Sequence, residues 1–125
     1  MNLIFDPKGD GLSKVLRDYQ IEAMKFVWEN NTGVNSRDVW HNVNKTFKGE
    51  KTISRASIIN FLNNMVEEGA LDYKEKSGKG GYHRVYFPKL DESGFKKAMA
   101  KSVISSLMRD FPDETNEVLR QLKSK

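Results

Sequence analysis

Cysteine is absent from the 125 residues, so disulfides, thiolate nucleophiles and thiolate metal sites are excluded. Histidine is nearly as scarce. His41 and His83 are the two imidazoles, and no carboxylates stand at a spacing that would complete a zinc site with them. No cofactor is expected. Long apolar runs are missing too, which argues against a membrane span. The opening residues Met1 to Pro7 lack the basic region and apolar stretch of a secretory signal, so a cytoplasmic location is expected, with no membrane partner. No carboxylate pair and no nucleophile beside a base stands out. Gly78-Lys79-Gly80-Gly81 is too short and wrongly flanked for a phosphate-cradling loop, and the chain is not expected to be an enzyme.

What the chain does have is a normal apolar fraction, 38%, and a charged fraction of 30%. Its length allows one domain of about 90 residues with a real core, plus an appendage. The net charge of +4 is modest; its placement is more telling. From Lys45 to Ser57, four basic residues (Lys45, Lys48, Lys51, Arg55) face one acid, Glu50, for a net +3. From Tyr73 to Arg84, Lys74, Lys76, Lys79 and Arg84 face Glu75, again a net +3. Paired basic segments of this kind suit phosphates.

Between them lies an amphipathic segment. Ile58, Leu62, Met65 and Val66 recur at helical spacing, opposite a face of Arg55, Ser57, Asn60, Asn64 and Glu67. Ser54 is a natural N-cap, and Gly69 suits a left-handed C-terminal residue. The outward face carries short hydrogen-bonding side chains and an arginine instead of alternating Lys and Glu, which fits the edges of DNA bases.

Upstream, Pro7, Gly9 and Gly11 mark an irregular lead-in or arm. A first helix runs from about Asp18 to Asn30, with Ile21, Met24, Val27 and Trp28 on one face and Asn30-Asn31-Thr32-Gly33 ending it. A second helix follows an Asn35-Ser36 cap, with Val39, Trp40, Val43 and Phe47 on its apolar face. Lys48 to Thr52 then forms the turn of a tight helix-turn-helix.

After Gly69 the period falls to two. Leu71 to Lys76 alternate, Ser77 to Gly81 make a flexible tip, and Tyr82 to Phe87 are rich in β-formers before Pro88, giving a hairpin. Helix, helix, helix, hairpin is the winged helix-turn-helix order, with the third helix in the major groove and the hairpin on neighbouring backbone. Trp28, Trp40, Tyr82 and Tyr86 are assigned to the core and its rim.

A long helix from Asp91 to Phe111 carries Phe95, Met99, Val103, Leu107 and Phe111 at intervals of four. Pro112-Asp113 breaks it, and a short last helix starts near Asp113 or Glu114 with Val118, Leu119 and Leu122. Two helices cannot form their own core, so a dimerisation tail is expected, paired through Phe95, Met99, Val103, Leu107, Phe111, Val118 and Leu122. The alternative is a monomer whose tail packs on the first helix.

The fold expected is therefore mainly α with a small β-hairpin (α+β): a winged helix DNA-binding domain with an N-terminal arm over residues 1–90, then a helical dimerisation region over 91–125. Arg55, Ser57, Asn60 and Asn64 are the candidates for reading bases. Lys48, Lys51, Ser54, Lys79, His83 and Arg84 are the candidates for gripping the backbone. The expected partners are double-stranded DNA and a second copy of the chain, and no motif names a small-molecule effector. The competing expectation is a winged helix serving as a protein-protein adaptor without direct DNA readout.

Several segments also resemble one known family. Leu16 to Trp28 is similar to the opening helix of the penicillinase and methicillinase repressors, the BlaI/MecI type. Val34 to Val39 is similar to the start of that family's second helix. Ser54 to Leu71 resembles its S-R-T-T-V-x-T-L-L-N-R-L-V-E-K-G-L-L run. The likeness covers about residues 12–90, and the expected architecture extends it to a two-helix tail. It implies a dimeric repressor whose recognition helices read an inverted repeat. The family's base-reading hydroxyls fall on Ala56, Ser57 and Asn60, and its arginine near the helix end falls on Asn64. The hydroxyl lost at Ala56, the amide at Asn60 and the charge lost at Asn64 imply a different operator with the same docking mode. The protease-cleaved site of the family's tail has no counterpart between Phe95 and Phe111, and the cysteines of its copper-responsive relatives are missing.

Overall fold

The computed structural model describes residues 3–78 and 80–124. Three helices open the fold, and each begins where a side chain can take up an orphan amide. α1 (Asp18–Glu29) starts with Gln20 accepting from the Arg17 amide at 2.9 Å. At the start of α2 (Ser36–Thr46), Asn35 Oδ1 accepts from the Asp38 amide at 2.8 Å. At α3 (Arg55–Glu67), the Ser54 hydroxyl oxygen accepts from the Ser57 amide at 3.1 Å. Such caps contribute about 1 kcal/mol each. α3 ends as its sequence requires: Gly69 has φ 84°, and the amides of Gly69 and Ala70 return to the Val66 and Met65 carbonyls at 3.1 and 2.9 Å. Those two bonds are a Schellman motif, closed by the glycine.

The apolar stripes of the three helices meet in one core. Met24 and Val27 from α1, Val39 and Val43 from α2, and Ile58, Leu62 and Met65 from α3 are all fully buried. Leu71 and Tyr86 close it from the sheet. With the stripe inside, the polar side of α3 must face out.

Three antiparallel strands complete this part of the chain: β1 (Val34–Asn35), β2 (Leu71–Gly78) and β3 (Gly81–Pro88), in the order β1-β3-β2. β1 is not foreseen from the sequence, because two residues carry no period. It pairs Val34 with Tyr86 and Asn35 with Val85. Gly33 makes room for this pairing: at φ 140° a Cβ there would lie 2.6 Å from Val85 Cγ1. The hairpin is also longer than its composition indicates. The ladder continues to Gly78 opposite Gly81, so only residues 79 and 80 lie between the strands, where a five-residue flexible tip is expected.

Two other expectations need correction. The connection from α2 to α3, residues 47–54, is longer than the three or four residues of a tight helix-turn-helix. From Leu3 onward the lead-in is structured: Gly11–Lys14 form a short 3-10 helix, the Asp6 amide donates to the Lys14 carbonyl at 2.7 Å, and Leu3, Leu12 and Val15 pack on the core.

The C-terminal part is α4 (Glu92–Asp110), capped by Asp91 accepting from the Gly94 amide at 2.7 Å, and α5 (Pro112–Lys123). α5 starts at Pro112 itself, slightly earlier than its charges indicate, since proline suits the first helical position. The first turn of α4 docks on the rest of the fold. Trp28 Nε1 donates to the Leu90 carbonyl at 3.1 Å, and the Trp28 and Phe95 ring centroids lie 5.7 Å apart. Phe95, expected first in the pairing stripe, is fully buried within the chain. Its indole neighbour, not a second chain, covers it. Met99 and Val103 line a crevice with Leu3, Phe5 and Val15. The face left open is Ile104, Leu107, Phe111, Val118 and Leu122, between 40% and 62% exposed.

The chain is thus α+β, with five α-helices and a small three-stranded antiparallel sheet among the described residues. Its helix, helix, helix, hairpin order is that of the winged helix-turn-helix arrangement. No described helix is long and apolar enough to cross a membrane.

Candidate nucleic-acid interface

α3 presents Arg55, Asn60 and Asn64 to solvent, with Ser57 half-buried between them. Two grooves flank the helix. The one toward α1 is lined by Tyr19, Gln20, Ser57, Asn60, Asn64 and Glu67. The one toward the hairpin is lined by Arg55, Ile59, Asn63, Tyr82, His83 and Arg84. The four base-reading candidates therefore share one helix but divide between its two sides.

Ser54 and Ser57 are bound to each other as well as to the backbone. Besides the cap, the Ser54 hydroxyl donates to Ser57 Oγ at 2.9 Å. Ser54 is thus committed to starting the helix, and Ser57 Oγ retains its own proton to donate elsewhere.

The basic candidates divide likewise. Lys48 is exposed at φ 50° in the turn before α3. Lys51 is engaged within the chain: its ammonium ion-pairs with Asp18 at the start of α1 and lies 4.5 Å from the Phe47 ring centroid. The hydrogen bond from Lys51 holds the Asp18 carboxyl below its usual range, against a small opposing effect of burial. Charge counting along the chain gives Lys51 to phosphate, but the fold brings a carboxylate to it from 33 residues away. His83 is exposed on β3, opposite Lys76 in the ladder. Lys79 lies outside the described residues.

Arg84 departs furthest from its expected role as a free cation. It is half-buried, with Nη1 donating to Asn63 Oδ1 at 3.0 Å and its guanidinium carbon 3.9 Å from the Tyr73 ring centroid. The Tyr86 hydroxyl donates to the same Asn63 oxygen at 2.5 Å. Burial pushes the Tyr86 phenol up, which keeps it protonated as a donor.

Two residues at this surface escape the sequence reading. Asn63 reads as one more polar residue on α3, and its partners lie 21 and 23 residues away. Tyr82, assigned by its spacing to the core or rim, is 81% exposed. Alternation along β3 puts it on the side of Arg84 and Tyr86, but it lies near the tip, beyond the reach of the core. Its place beside the tip glycines is the signal that could have marked it.

The turn that delivers α3 is fixed by side chains. Asn44 and Trp40 both bond to Ile53, with Trp40 Nε1 donating to its carbonyl at 2.9 Å.

Among curated proteins, none matches this chain. A structure from Thermoplasma acidophilum, described provisionally as a transcriptional regulator, aligns with 79% of this chain and 93% of its own at 16% identity and a TM-score of 0.44. The family described as penicillinase repressor matches residues 16–124, from the end of the lead-in to the last turn of α5. With nearly its whole length matched, this chain belongs to the penicillinase repressor family of DNA-binding transcriptional regulators.

Proposed function

We propose that the protein is a homodimeric repressor that reads an inverted-repeat operator, each protomer placing α3 in the major groove and its hairpin on adjacent backbone. The observation that carries this reading is the polar surface of α3, which exposes Asn60 and Asn64 along the groove toward α1 and Arg55 along the groove toward the hairpin. An amide such as Asn60 can bond adenine through two atoms, and Arg55 can do the same for guanine. Lys48, exposed in the turn, and His83, on the hairpin, would take the backbone. In this reading residues 1–90 are the DNA-binding unit and 91–125 the pairing unit.

Pairing is supported by the open apolar face of Ile104, Leu107, Phe111, Val118 and Leu122. Large apolar side chains gathered on one exposed face mark an interaction surface. A symmetric pair presents two recognition helices, and two half-sites one helical turn apart match that symmetry.

The test is binding of the full chain to labelled duplex from its own promoter, followed against salt. A dimer bound with an affinity that falls steeply as salt rises supports the reading, as does loss of binding when one half-site is scrambled. An affinity nearly flat between low and moderate salt would overturn it.

A further inference from the structure

We infer that Asn63 is a positioning residue that fixes the hairpin against α3, and that Arg84 belongs to this strut and does not grip a phosphate. The inference deepens the reading above, since it concerns how the wing is delivered to DNA. Its evidence is the convergence of two donors on one oxygen: Arg84 Nη1 at 3.0 Å and the Tyr86 hydroxyl at 2.5 Å, both on Asn63 Oδ1. An amide oxygen has two lone pairs, so this acceptor is saturated. The Arg84 guanidinium is further held over Tyr73, which pairs with Tyr86 across the strands. One side chain of α3 thereby binds two residues of β3 and, through Arg84, one of β2.

The position of the strut gives it leverage. Each long strand has eight residues, or about 26 Å at the usual rise per residue. At the base the hairpin is fixed by Leu71 in the core; at its far end Tyr82 is 81% exposed. A two-stranded ribbon twists readily. A tilt of about 10° at the base would carry the tip about 4 to 5 Å, more than a hydrogen bond tolerates. The strut ties the middle of the ribbon to the recognition helix, so that the tip and α3 meet DNA as one rigid body.

The experiment compares the full-length chain with Asn63→Leu, Asn63→Asp, Arg84→Gln and the Asn63→Leu/Arg84→Gln double variant. In the free protein, amide hydrogen exchange across residues 73–85 is expected to quicken in Asn63→Leu while α1 and α2 keep their protection. It should return toward wild type in Asn63→Asp, which preserves an oxygen for both donors. Unchanged exchange in Asn63→Leu would overturn the strut whether or not the protein binds DNA.

On operator duplex, Asn63→Leu and Arg84→Gln are expected to lose the same affinity, and the double variant no more than either. The expected loss is roughly 5- to 30-fold, or about 1 to 2 kcal/mol, the scale of one or two hydrogen bonds. Hydroxyl-radical protection is expected to vanish on the wing side and persist beneath α3. A phosphate-gripping Arg84 predicts the opposite: Asn63→Leu would leave affinity unchanged or raise it, and Arg84→Gln alone would be weak. That result would overturn the inference and leave the DNA-binding reading standing. Wild-type protein that ignores DNA while Asn63→Leu loosens the hairpin would sink the DNA-binding reading and leave the strut.

Discussion

Asn44 satisfies both backbone polar groups of Ile53 with one side chain: Oδ1 accepts from the Ile53 amide at 2.7 Å, and Nδ2 donates to its carbonyl at 3.2 Å. The bond pair sets the residue that immediately precedes the Ser54 cap, and so sets where α3 begins. Replacing Asn44 by Ala leaves a part-buried amide without its partner, while the carbonyl keeps Trp40. The expected cost is about 1 to 3 kcal/mol, read as a lower urea midpoint with an unchanged slope. Asn44→Asp should recover part of it, because one acceptor remains.

Base reading and backbone grip predict different losses. Asn60→Ala is expected to cost about 1 to 3 kcal/mol of discrimination at one base pair of each half-site, with the salt slope unchanged. Lys48→Ala is expected to weaken all sequences alike and to reduce the slope by about 1 per protomer. Fluorescence titrations on matched and mismatched duplexes at several salt concentrations would separate them. Equal behaviour of the two variants would refute the division of labour.

Leu107 and Leu122 stand 43% and 62% exposed on the open face of α4 and α5. Replacing both by Glu adds charge to a surface that pairing would bury, and removes nothing from the core of the protomer. Sedimentation equilibrium is expected to show monomer where wild type shows dimer, with melting of the monomer itself little changed. Operator affinity should fall by more than tenfold, since one half-site remains per chain. A monomeric wild type, or a dimer that tolerates both glutamates, would contradict this.

Asp18 gives a pH dependence of known sign. The hydrogen bond from Lys51 lowers its pKa in the folded state. The pair therefore adds stability above the carboxylate's unfolded value and loses it as pH falls through the lower folded value. Both partners are about half exposed, so the contribution is expected to stay under about 1 kcal/mol and to shrink with salt. Asp18→Asn should flatten the acid limb of the stability profile. It should also free the Lys51 ammonium, so that DNA affinity rises and its salt dependence steepens. No change in either quantity would leave the pair without a role.

Much of the architecture was legible along the chain because it rests on local periods and caps. The spacing of Ile58, Leu62, Met65 and Val66, the Ser54 cap and Gly69 define α3 without reference to any other segment. Asn35 and Asp38 do the same for α2, and Pro112 separates α4 from α5. The alternation after Gly69 marks the hairpin. Which face of α3 turns outward also follows from its own stripe, since the apolar side must be buried.

Interactions between distant segments were decided only by the fold. A lysine reads as a free cation until Asp18 is brought beside Lys51. Arg84 reads as a phosphate clamp until Asn63 and Tyr73 close around it. Phe95 reads as part of a pairing stripe until Trp28 covers it. Tyr82 has the right spacing for a rim residue but the wrong distance along β3. β1 exists only because Val34 and Asn35 find β3. Side-chain period records which way a residue points relative to its own element, whereas partnership depends on what other elements place there, and that information is not local.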